Sequence, residues 1–186
     1  MIEGIVLAGG KSTRAKTNKM LFCIENKPLI CHTIASLKKH VDHIIVVTGR
    51  YDQEIREVLK GQNDIEIIYN PIYEQGMFTS VKAGVRATNG DFFILPGDYP
   101  FITDETFLSL LNGNKSIRFP TYEGKDGHPI FISKELKEEL LRESDDSNLH
   151  LFRDKHECER IQVNDPYILK DVDTKEDFEK LLSERK

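Results

Sequence analysis

The stretch IEGIVLAGGKSTR, which covers residues 2–14, gives the first indication of how this chain folds. Residues 2–8 form a short, nearly continuous apolar run, which is typical of a strand buried on both faces of a parallel sheet. Gly9 and Gly10 follow this run directly, and basic residues come next. Because ligands of open α/β sheets lie outside the carboxyl ends of the strands, we expect a binding loop immediately after residue 8.

The chain repeats this unit as far as residue 119. Further apolar runs predict strands at residues 43–47, 65–69, 92–95 and 116–119. Amphipathic patterns and helix-start signals predict helices at residues 28–39, 51–60, 77–87 and 104–111. The alternation predicts an α/β fold in which a mostly parallel sheet is covered by helices on both sides, as a three-layer sandwich.

The pattern changes after residue 119. Residues 124–127, with the sequence GKDG, predict a turn that joins strands at 118–122 and 129–132. This leaves no room for a crossover helix and therefore predicts an antiparallel excursion. Beyond it we expect helices at 134–142 and 149–156, a strand at 159–163 and a last helix from Lys175, with Asp173 or Thr174 as its cap. Because no linker or repeat interrupts the sequence, we expect a single domain over residues 1–186.

The composition excludes several classes of protein. The chain has 26 Lys and Arg against 31 Asp and Glu, a net charge of −5 and 39% hydrophobic residues. These values predict a soluble globular domain and argue against a protein that coats nucleic acid or lies on a membrane, since both need a broad cationic face. No apolar run approaches the roughly 18 residues of a membrane span, and no signal-peptide pattern is present, so we expect a cytoplasmic protein. The three cysteines lack CxxC spacing, which predicts reduced thiols.

The loop after the first strand is a candidate phosphate-binding loop. Paired glycines let backbone N–H groups approach phosphate oxygens closely, and residues 4–24 contain cations but no acid. These cations are Lys11, Arg14, Lys16 and Lys19. The P-loop pattern fails, because its first glycine would fall at Ile5, and the GxGxxG pattern is absent. The segment is therefore either a third kind of phosphate loop or an ordinary solvated loop.

Several motifs occur along the chain in the order of a known enzyme family. They are LAGGKSTR at 7–14 with KML at 19–21, NP at 70–71 with GM at 76–77 and Ser80, LPGDYP at 95–100, GHP at 127–129 and DVDT at 171–174. Together they resemble the nucleotidyltransferases that are similar to molybdenum cofactor cytidylyltransferase and guanylyltransferase. The resemblance implies a Rossmann-like fold of the nucleotide-diphospho-sugar transferase type. It also implies transfer of a nucleoside monophosphate from a nucleoside triphosphate to a phosphate-bearing acceptor, with release of pyrophosphate and with Mg²⁺, or Mn²⁺ in its place, as cofactor.

The matched positions imply catalytic roles. In-line attack on an α-phosphate gathers negative charge on phosphate oxygens, so positioned cations and a metal carry the catalysis. By resemblance, Lys19 neutralises the α-phosphate, Arg14 neutralises the leaving pyrophosphate, and Asp98 binds the metal. Asp173, with Asp171 as a weaker candidate, occupies the family's position for a second metal carboxylate. Judged without the resemblance, Asp98 can also stabilise a turn and Asp173 can also cap a helix.

The remaining matched positions imply contacts with the two substrates. The nucleotide-binding positions are Leu7, Ala8, Gly9, Gly10, Lys19, Asn70, Ser80 and Asp98. His128 borders the acceptor side, and we give it a binding role only, because a lone histidine is more often a packed or surface residue. More motifs match the cytidylyl branch than the guanylyl branch, so CTP is favoured over GTP.

The resemblance implies a molybdopterin-type acceptor and a molybdoenzyme that receives the finished cofactor. Two departures bear on this expectation. Where cytidylyltransferase relatives carry Gly-Asp-x-Gly-Ala-Arg, residues 144–149 read SDDSNL, which loses the arginine that an anionic pterin would contact. The first loop reads RAK at 14–16 in place of Arg-Met-Gly. The alternatives are the same chemistry on another phosphate acceptor, such as a sugar phosphate, or a non-catalytic protein that binds nucleotide or cofactor; retention of Lys19, Asp98 and Asp173 favours catalysis.

Overall fold

Strands and helices alternate along the chain in the computed structural model, which describes residues 1–10, 18–24, 26–62 and 64–184. Within these residues the strands are β1 (Ile2–Ala8), β2 (Cys23–Ile24), β3 (Lys27–Pro28), β4 (His43–Thr48), β5 (Ile65–Tyr69), β6 (Asp91–Pro96), β7 (Ile117–Tyr122), β8 (Lys125–Asp126), β9 (Ile130–Ile132) and β10 (Cys158–Gln162). The α-helices are α1 (Leu29–Lys38), α2 (Asp52–Val58), α3 (Met77–Ala87), α4 (Asp104–Leu111), α5 (Lys137–Arg142), α6 (Leu149–Arg153) and α7 (Lys175–Glu184). Short 3₁₀ helices cover Lys19–Leu21, Tyr73–Gln75, Lys134–Leu136 and Pro166–Leu169.

One mixed sheet organises the described residues. Its strand order is β10-β7-β9-β6-β1-β4-β5, with β8 paired to β7. The neighbours β6, β1, β4 and β5 are all parallel, and β10 runs parallel to β7. Strand β9 is antiparallel to both β6 and β7. The predicted α/β class, with a mostly parallel sheet and an antiparallel excursion, is therefore confirmed.

Alternate residues of the central strands enter two hydrophobic cores, one on each side of the sheet. The first core takes Val6, Val46 and Phe93 from β1, β4 and β6. The second core takes their neighbours Ile5, Ile45 and Ile94. Helices α1, α2 and α4 supply buried side chains to the first core, and α3, α5 and α6 supply them to the second. The predicted three layers follow from this alternation, because successive side chains of a strand point to opposite faces.

Some predicted boundaries are wrong. The turn lies at Glu123 and Gly124, not at 124–127, because both residues have the positive φ values (49° and 75°) that a two-residue type I′ loop requires. Lys125–Asp126 consequently form strand β8. The helix predicted at 134–142 begins as a 3₁₀ helix, and α6 ends at Arg153 instead of residue 156. The single domain over residues 1–186 stays a prediction. None of the helices in the described segments has the length and apolar character that a membrane crossing requires.

The carboxyl ends of β1, β4, β5 and β6 meet at one edge of the sheet. Their last residues lie in register at this edge: Ala8 pairs with Thr48, Thr48 pairs with Tyr69, and Pro96 pairs with Leu7, the residue before the end of β1. The segments that follow these strands therefore start side by side. The candidate positions in those segments are Gly9, Asn70 and Asp98.

Candidate active site

Asp98 lies in the tight turn after β6, and the backbone of this turn is fixed from two sides. The N–H of Gly97 donates to the carbonyl of Leu7 at 2.9 Å, and the carbonyl of Gly97 accepts from the Thr33 hydroxyl at 2.7 Å. A Cβ at Gly97 would lie 2.9 Å from the sulfur of Met20, so glycine permits this close approach. The turn is thus anchored to both β1 and α1, which sets the position of the Asp98 carboxylate.

Lys19 and two carboxylates form a cluster at this edge of the sheet. Nζ of Lys19 lies 2.7 Å from Oδ2 of Asp98 and 2.9 Å from Oδ1 of Asp173. These partners are 79 and 154 residues away from Lys19 in the sequence. The N–H of Val172 donates to the carbonyl of Asp98 at 2.9 Å and brings Asp173 next to the β6 turn. The side chains of Lys19, Asp98 and Asp173 are 15%, 16% and 25% exposed, so solvent screens their charges only in part.

Lys19 keeps its proton in this cluster. Burial by itself lowers the pKa of Lys19, but the charges and hydrogen bonds of Asp98 and Asp173 outweigh burial and raise the pKa above its usual value. Because that usual value is already about 10, Lys19 is a cation throughout the physiological range. Burial also raises the pKa of Tyr99, and the charges of Asp171, Asp98 and Asp173 add to this effect, so the phenol remains protonated.

Asp98 has one oxygen that suits a further ligand. Its Oδ2 accepts from Lys19, whereas its Oδ1 is buried and has no hydrogen-bond partner among the described residues. A buried polar atom without a partner costs free energy, and a cation at this oxygen would remove that cost. The part of the chain described contains no group of three or more His, Cys, Asp and Glu side chains able to hold a metal. The two carboxylates of Asp98 and Asp173 are a suitable ligand set for a divalent ion such as Mg²⁺, which takes one or two protein carboxylates and completes its shell with phosphates and water.

The cap of α7 is made by Thr174. Its hydroxyl accepts from the N–H of Asp177 at 3.1 Å, and the Asp177 carboxylate accepts from the N–H of Thr174 at 2.9 Å. This reciprocal pair has the geometry of a capping box. Of the two roles left open for Asp173, the capping role thus belongs to its neighbour, and the carboxylate of Asp173 contacts Lys19 instead.

The end of β1 packs against the first turns of α3. Nδ2 of Asn70 donates to the hydroxyl of Thr79 at 2.8 Å and to that of Ser80 at 3.0 Å. A Cβ at Gly9 would lie only 2.8 Å from Oγ of Ser80, whereas a Cβ at Gly10 would meet no described atom within 4 Å. Asn70 and Ser80 are 2% and 3% exposed, so they support the loop backbone from below. Their direct contact with a nucleotide stays a prediction.

We expect the substitution Gly9→Ala to weaken the predicted binding of CTP by about tenfold, because the added methyl overpacks against Ser80 and displaces the backbone at Gly9. Ser80→Ala in the same chain removes Oγ and leaves the nearest Ser80 atom, its Cβ, at 3.7 Å, an ordinary contact. The double variant is therefore expected to bind more tightly than Gly9→Ala and as tightly as Ser80→Ala, because the added methyl no longer meets a hydroxyl. Titration calorimetry checks this, with Ser80→Ala alone as the control. A double variant that binds no better than Gly9→Ala contradicts the role of this contact.

The predicted phosphate cations of the first loop lie outside the described residues. They are Lys11, Arg14 and Lys16, within the segment 11–17. The assignment of Arg14 to the leaving pyrophosphate stays a prediction. Of the four cations, the structure describes Lys19, whose side chain contacts the carboxylates of Asp98 and Asp173.

His128 lines a cavity of about 690 Å³. Its ring lies edge to face against Tyr99, with 4.8 Å between the ring centroids, and this contact connects the cavity wall to the Asp98 turn. Burial, assisted by the charge of Arg153 and opposed by that of Asp171, lowers the pKa of His128 to about 4. The imidazole is therefore neutral at physiological pH, which suits hydrogen bonding to a ligand and not charge pairing. This arrangement agrees with a binding role on the acceptor side, which stays a prediction.

Two arginines of the same cavity are absent from the sequence-based predictions. Arg153 and Arg160 line it together with Lys125. Arg153 follows a buried phenylalanine on the short helix α6, and Arg160 lies on the edge strand β10, so no spacing pattern connects them. Residues 144–149 lack the arginine found in cytidylyltransferase relatives, but Arg153 and Arg160 supply positive charge on this side of the described structure. A basic residue beside a phenylalanine in one element, and a basic residue between Glu159 and Ile161 in another, are too weak a signal to find such a pair.

Known proteins are similar to this chain in sequence and in architecture. The MobA-like NTP transferase domain matches residues 4–160. Molybdenum cofactor cytidylyltransferase from Escherichia coli strain K12 is 31% identical over 179 residues, which cover 95% of this chain and 93% of that protein. A nucleotidyl transferase structure from Methanothermobacter thermautotroptrophicus has a TM-score of 0.85 at 21% identity, covering 99% of this chain and 97% of its own. The structure of Rv0371c from Mycobacterium tuberculosis, in complex with manganese, has a TM-score of 0.76 at 21% identity and covers 98% of each chain.

Proposed function

Because this chain belongs to the MobA-like NTP transferase family, and hence to the nucleotidyltransferases, we propose that it transfers a nucleoside monophosphate to a molybdopterin acceptor. The nucleotide we propose is CTP, with CMP favoured over GMP as the transferred group. The 31% identity to a molybdenum cofactor cytidylyltransferase supports both choices. The observation that carries the proposal is the contact of Lys19 with the carboxylates of Asp98 and Asp173 at the edge of the sheet.

The proposed reaction is a single displacement at the α-phosphorus. An oxygen of the acceptor phosphate forms a bond to the α-phosphorus. The bond between the α-phosphorus and the oxygen that bridges to the β-phosphate breaks, and pyrophosphate leaves with that oxygen. Negative charge grows on the phosphate oxygens during this step. Lys19 is a fixed cation at the end of the loop that follows β1, so we assign it to the α-phosphate. Arg14 remains our assignment for the leaving pyrophosphate.

The nucleotide is proposed to lie along the backbone of residues 7–10. The structure supports this with a loop that starts at the carboxyl end of a central strand, where ligands of open α/β sheets bind. Ser80, which accepts a hydrogen bond from Asn70, lies close against Gly9, and Gly10 leaves space on the open side. Backbone contacts of Leu7, Ala8, Gly9 and Gly10 therefore carry nucleotide binding in this proposal.

We propose Mg²⁺ as the divalent ion, with Mn²⁺ able to replace it. Asp98 and Asp173 would hold it, because Oδ1 of Asp98, which has no hydrogen-bond partner among the described residues, and the carboxylate of Asp173 are hard oxygen ligands at one place. When bound, such an ion neutralises charge on the triphosphate. The Mycobacterium tuberculosis protein, which has the same fold and whose structure is in complex with manganese, supports the choice of a divalent ion.

Pyrophosphate release tests the proposal and separates it from its alternatives. The protein with Mg²⁺ is mixed with each of the four ribonucleoside triphosphates, in turn without acceptor, with molybdopterin, and with a sugar phosphate. We expect release only with molybdopterin, and faster with CTP than with GTP. Release only with the sugar phosphate supports the same chemistry on another acceptor. Triphosphate binding without any release contradicts an enzyme and indicates an accessory protein that delivers cofactor, for instance to the molybdoenzyme that we propose as partner.

A further inference from the structure

One carboxylate and two guanidinium groups meet in the cavity that His128 lines. Nη2 of Arg153 lies 2.9 Å from Oδ2 of Asp126, and Nε of Arg160 lies 3.1 Å from Oδ1 of the same carboxylate. These residues come from three elements, since Asp126 is on β8, Arg153 on α6 and Arg160 on β10. Their convergence is therefore a product of the tertiary fold.

The two guanidinium groups are positioned by one aromatic ring. The central carbon of the Arg153 guanidinium lies 4.0 Å from the centroid of the Phe119 ring, and that of Arg160 lies 5.5 Å from it. Arg153 is 8% exposed, so its side chain is held within the fold. Stacking uses the faces of a guanidinium and leaves its N–H groups, which lie in the plane, for hydrogen bonds. Each guanidinium has five N–H donors and Asp126 offers two oxygens, so the pair has the capacity to bind a second anion.

The cavity has an apolar wall and a cationic end. Apolar side chains on the wall include Leu7, Phe78, Val81, Ile94 and Ile130. The charged lining residues are three cations, Lys125, Arg153 and Arg160, and one acid, Asp126. His128 adds a buried Nδ1 that has no hydrogen-bond partner among the described residues. Such a lining fits a ligand with an anionic group at one end and a flat or apolar body.

The segment at residues 144–149 serves as an anchor for this cavity. Nζ of Lys82, a side chain that is 7% exposed, donates to Oδ1 of Asp145 at 2.6 Å and to the carbonyl of Glu143 at 2.7 Å. Asn148 and Leu149, which follow, line the cavity and begin α6. The segment that lacks the family's arginine thus holds in place the helix that carries Arg153.

We propose that Arg153 and Arg160 bind the phosphoryl group of the acceptor, and that Asp126 positions both guanidinium groups for it. The inference rests on the proposed nucleotidyl transfer and names the acceptor class: a phosphate ester whose body is flat or apolar enough to lie on the wall at Leu7 and Val81. The phosphoryl group takes N–H donors that Asp126 leaves unoccupied, but the negative charge of Asp126 opposes the arrival of a second anion. Asp126 therefore orients the arginines and at the same time lowers the affinity for phosphate.

Titration calorimetry with inorganic phosphate and with phenyl phosphate, in the absence of nucleotide, tests this inference. We expect phenyl phosphate to bind more tightly, because its ring buries apolar surface on the wall. Arg153→Gln and Arg160→Gln are each expected to weaken phosphate binding by about tenfold or more, because each removes a charge-assisted hydrogen bond. Asp126→Asn is expected to tighten it by about threefold, because the competing charge is gone.

A matched control is Arg56→Gln, which removes another arginine that pairs with an aspartate, Asp52, at 2.8 Å on the surface of α2. It is expected to leave phosphate binding unchanged. Because Arg153 is buried, a thermal melt must show that the Arg153→Gln protein is folded. The Arg160 side chain is 65% exposed, so its removal leaves the core intact. Unchanged phosphate binding in Arg160→Gln and in a folded Arg153→Gln overturns the inference.

The test is independent of the proposed reaction. Phosphate binding that depends on both arginines supports the site even if no triphosphate releases pyrophosphate, in which case only the proposed function fails. If transfer to molybdopterin does occur, Arg160→Gln is expected to raise the KM for the acceptor while the KM for CTP stays constant. A rise confined to the KM for CTP overturns the assignment of this site to the acceptor while leaving the proposed function in place.

Discussion

Replacing Asp98 with asparagine is expected to reduce nucleotidyl transfer by about a thousandfold or more while the protein remains folded. The carboxylate lies at a sheet edge, is 16% exposed and contributes nothing to either hydrophobic core, so its charge matters for chemistry more than for packing. Asparagine keeps the volume but loses the charge that holds a divalent ion. Steady-state turnover with CTP, Mg²⁺ and molybdopterin measures the loss, and circular dichroism with a thermal melt checks the fold.

A matched control for this variant is Asp104→Asn. Asp104 also accepts from a lysine, Lys39, at 3.0 Å, but on the surface at the start of α4. We expect this control to keep full turnover, because a surface ion pair contributes little and lies away from the sheet edge. Full turnover in Asp98→Asn removes Asp98 from the mechanism.

Replacing Lys19 with methionine is expected to have two effects of opposite direction. Turnover falls by about a hundredfold at nearly constant KM for CTP, because Lys19 acts on the charge that develops at the α-phosphate. Binding of Mn²⁺ to the nucleotide-free protein becomes about tenfold tighter, because Nζ of Lys19 no longer competes for the carboxylates of Asp98 and Asp173. Stopped-flow kinetics measure the first effect, and the electron paramagnetic resonance signal of free Mn²⁺ measures the second.

The control for this variant is Lys39→Met, which removes the surface lysine that pairs with Asp104. We expect neither turnover nor Mn²⁺ affinity to change in it. A Lys19→Met protein whose only change is a higher KM for the acceptor contradicts the assignment of Lys19 to the α-phosphate. Weaker Mn²⁺ binding in that protein contradicts competition between the lysine and the metal.

Local sequence patterns predict the fold class and two parts of the site, namely the loop after β1 and the turn after β6. The apolar run at 2–8 and the glycines after it indicate β1 and its loop, because burial on both faces of a parallel strand leaves a pattern within a few residues. The turn at residues 97–98 follows from proline and glycine beside a strand. These features depend only on neighbours in the sequence.

The rest of the site depends on contacts between distant segments. The hydrogen bond from Val172 to Asp98 places Asp173 beside Lys19, and no local pattern reveals it. The sequence leaves Asp173 and Thr174 as alternative caps of the last helix, and the hydrogen bonds between Thr174 and Asp177 select Thr174. Strand β9 inserts between β6 and β7, and the hairpin β7–β8 carries Asp126 to the arginines of two later elements. Sequence alone also misplaces the turn of that hairpin, because GKDG contains two glycines and only Gly124 takes a positive φ.

The most direct test of the central claim is a single-turnover measurement with CTP labelled at its α-phosphate, in the presence of Mg²⁺ and molybdopterin. We expect the label to appear in the molybdopterin product in equal amount to the pyrophosphate released, and both to disappear in Asp98→Asn. CTP binding without labelled product or pyrophosphate, or transfer of the label by Asp98→Asn as fast as by the unsubstituted protein, would show that this chain does not catalyse the transfer in the way proposed.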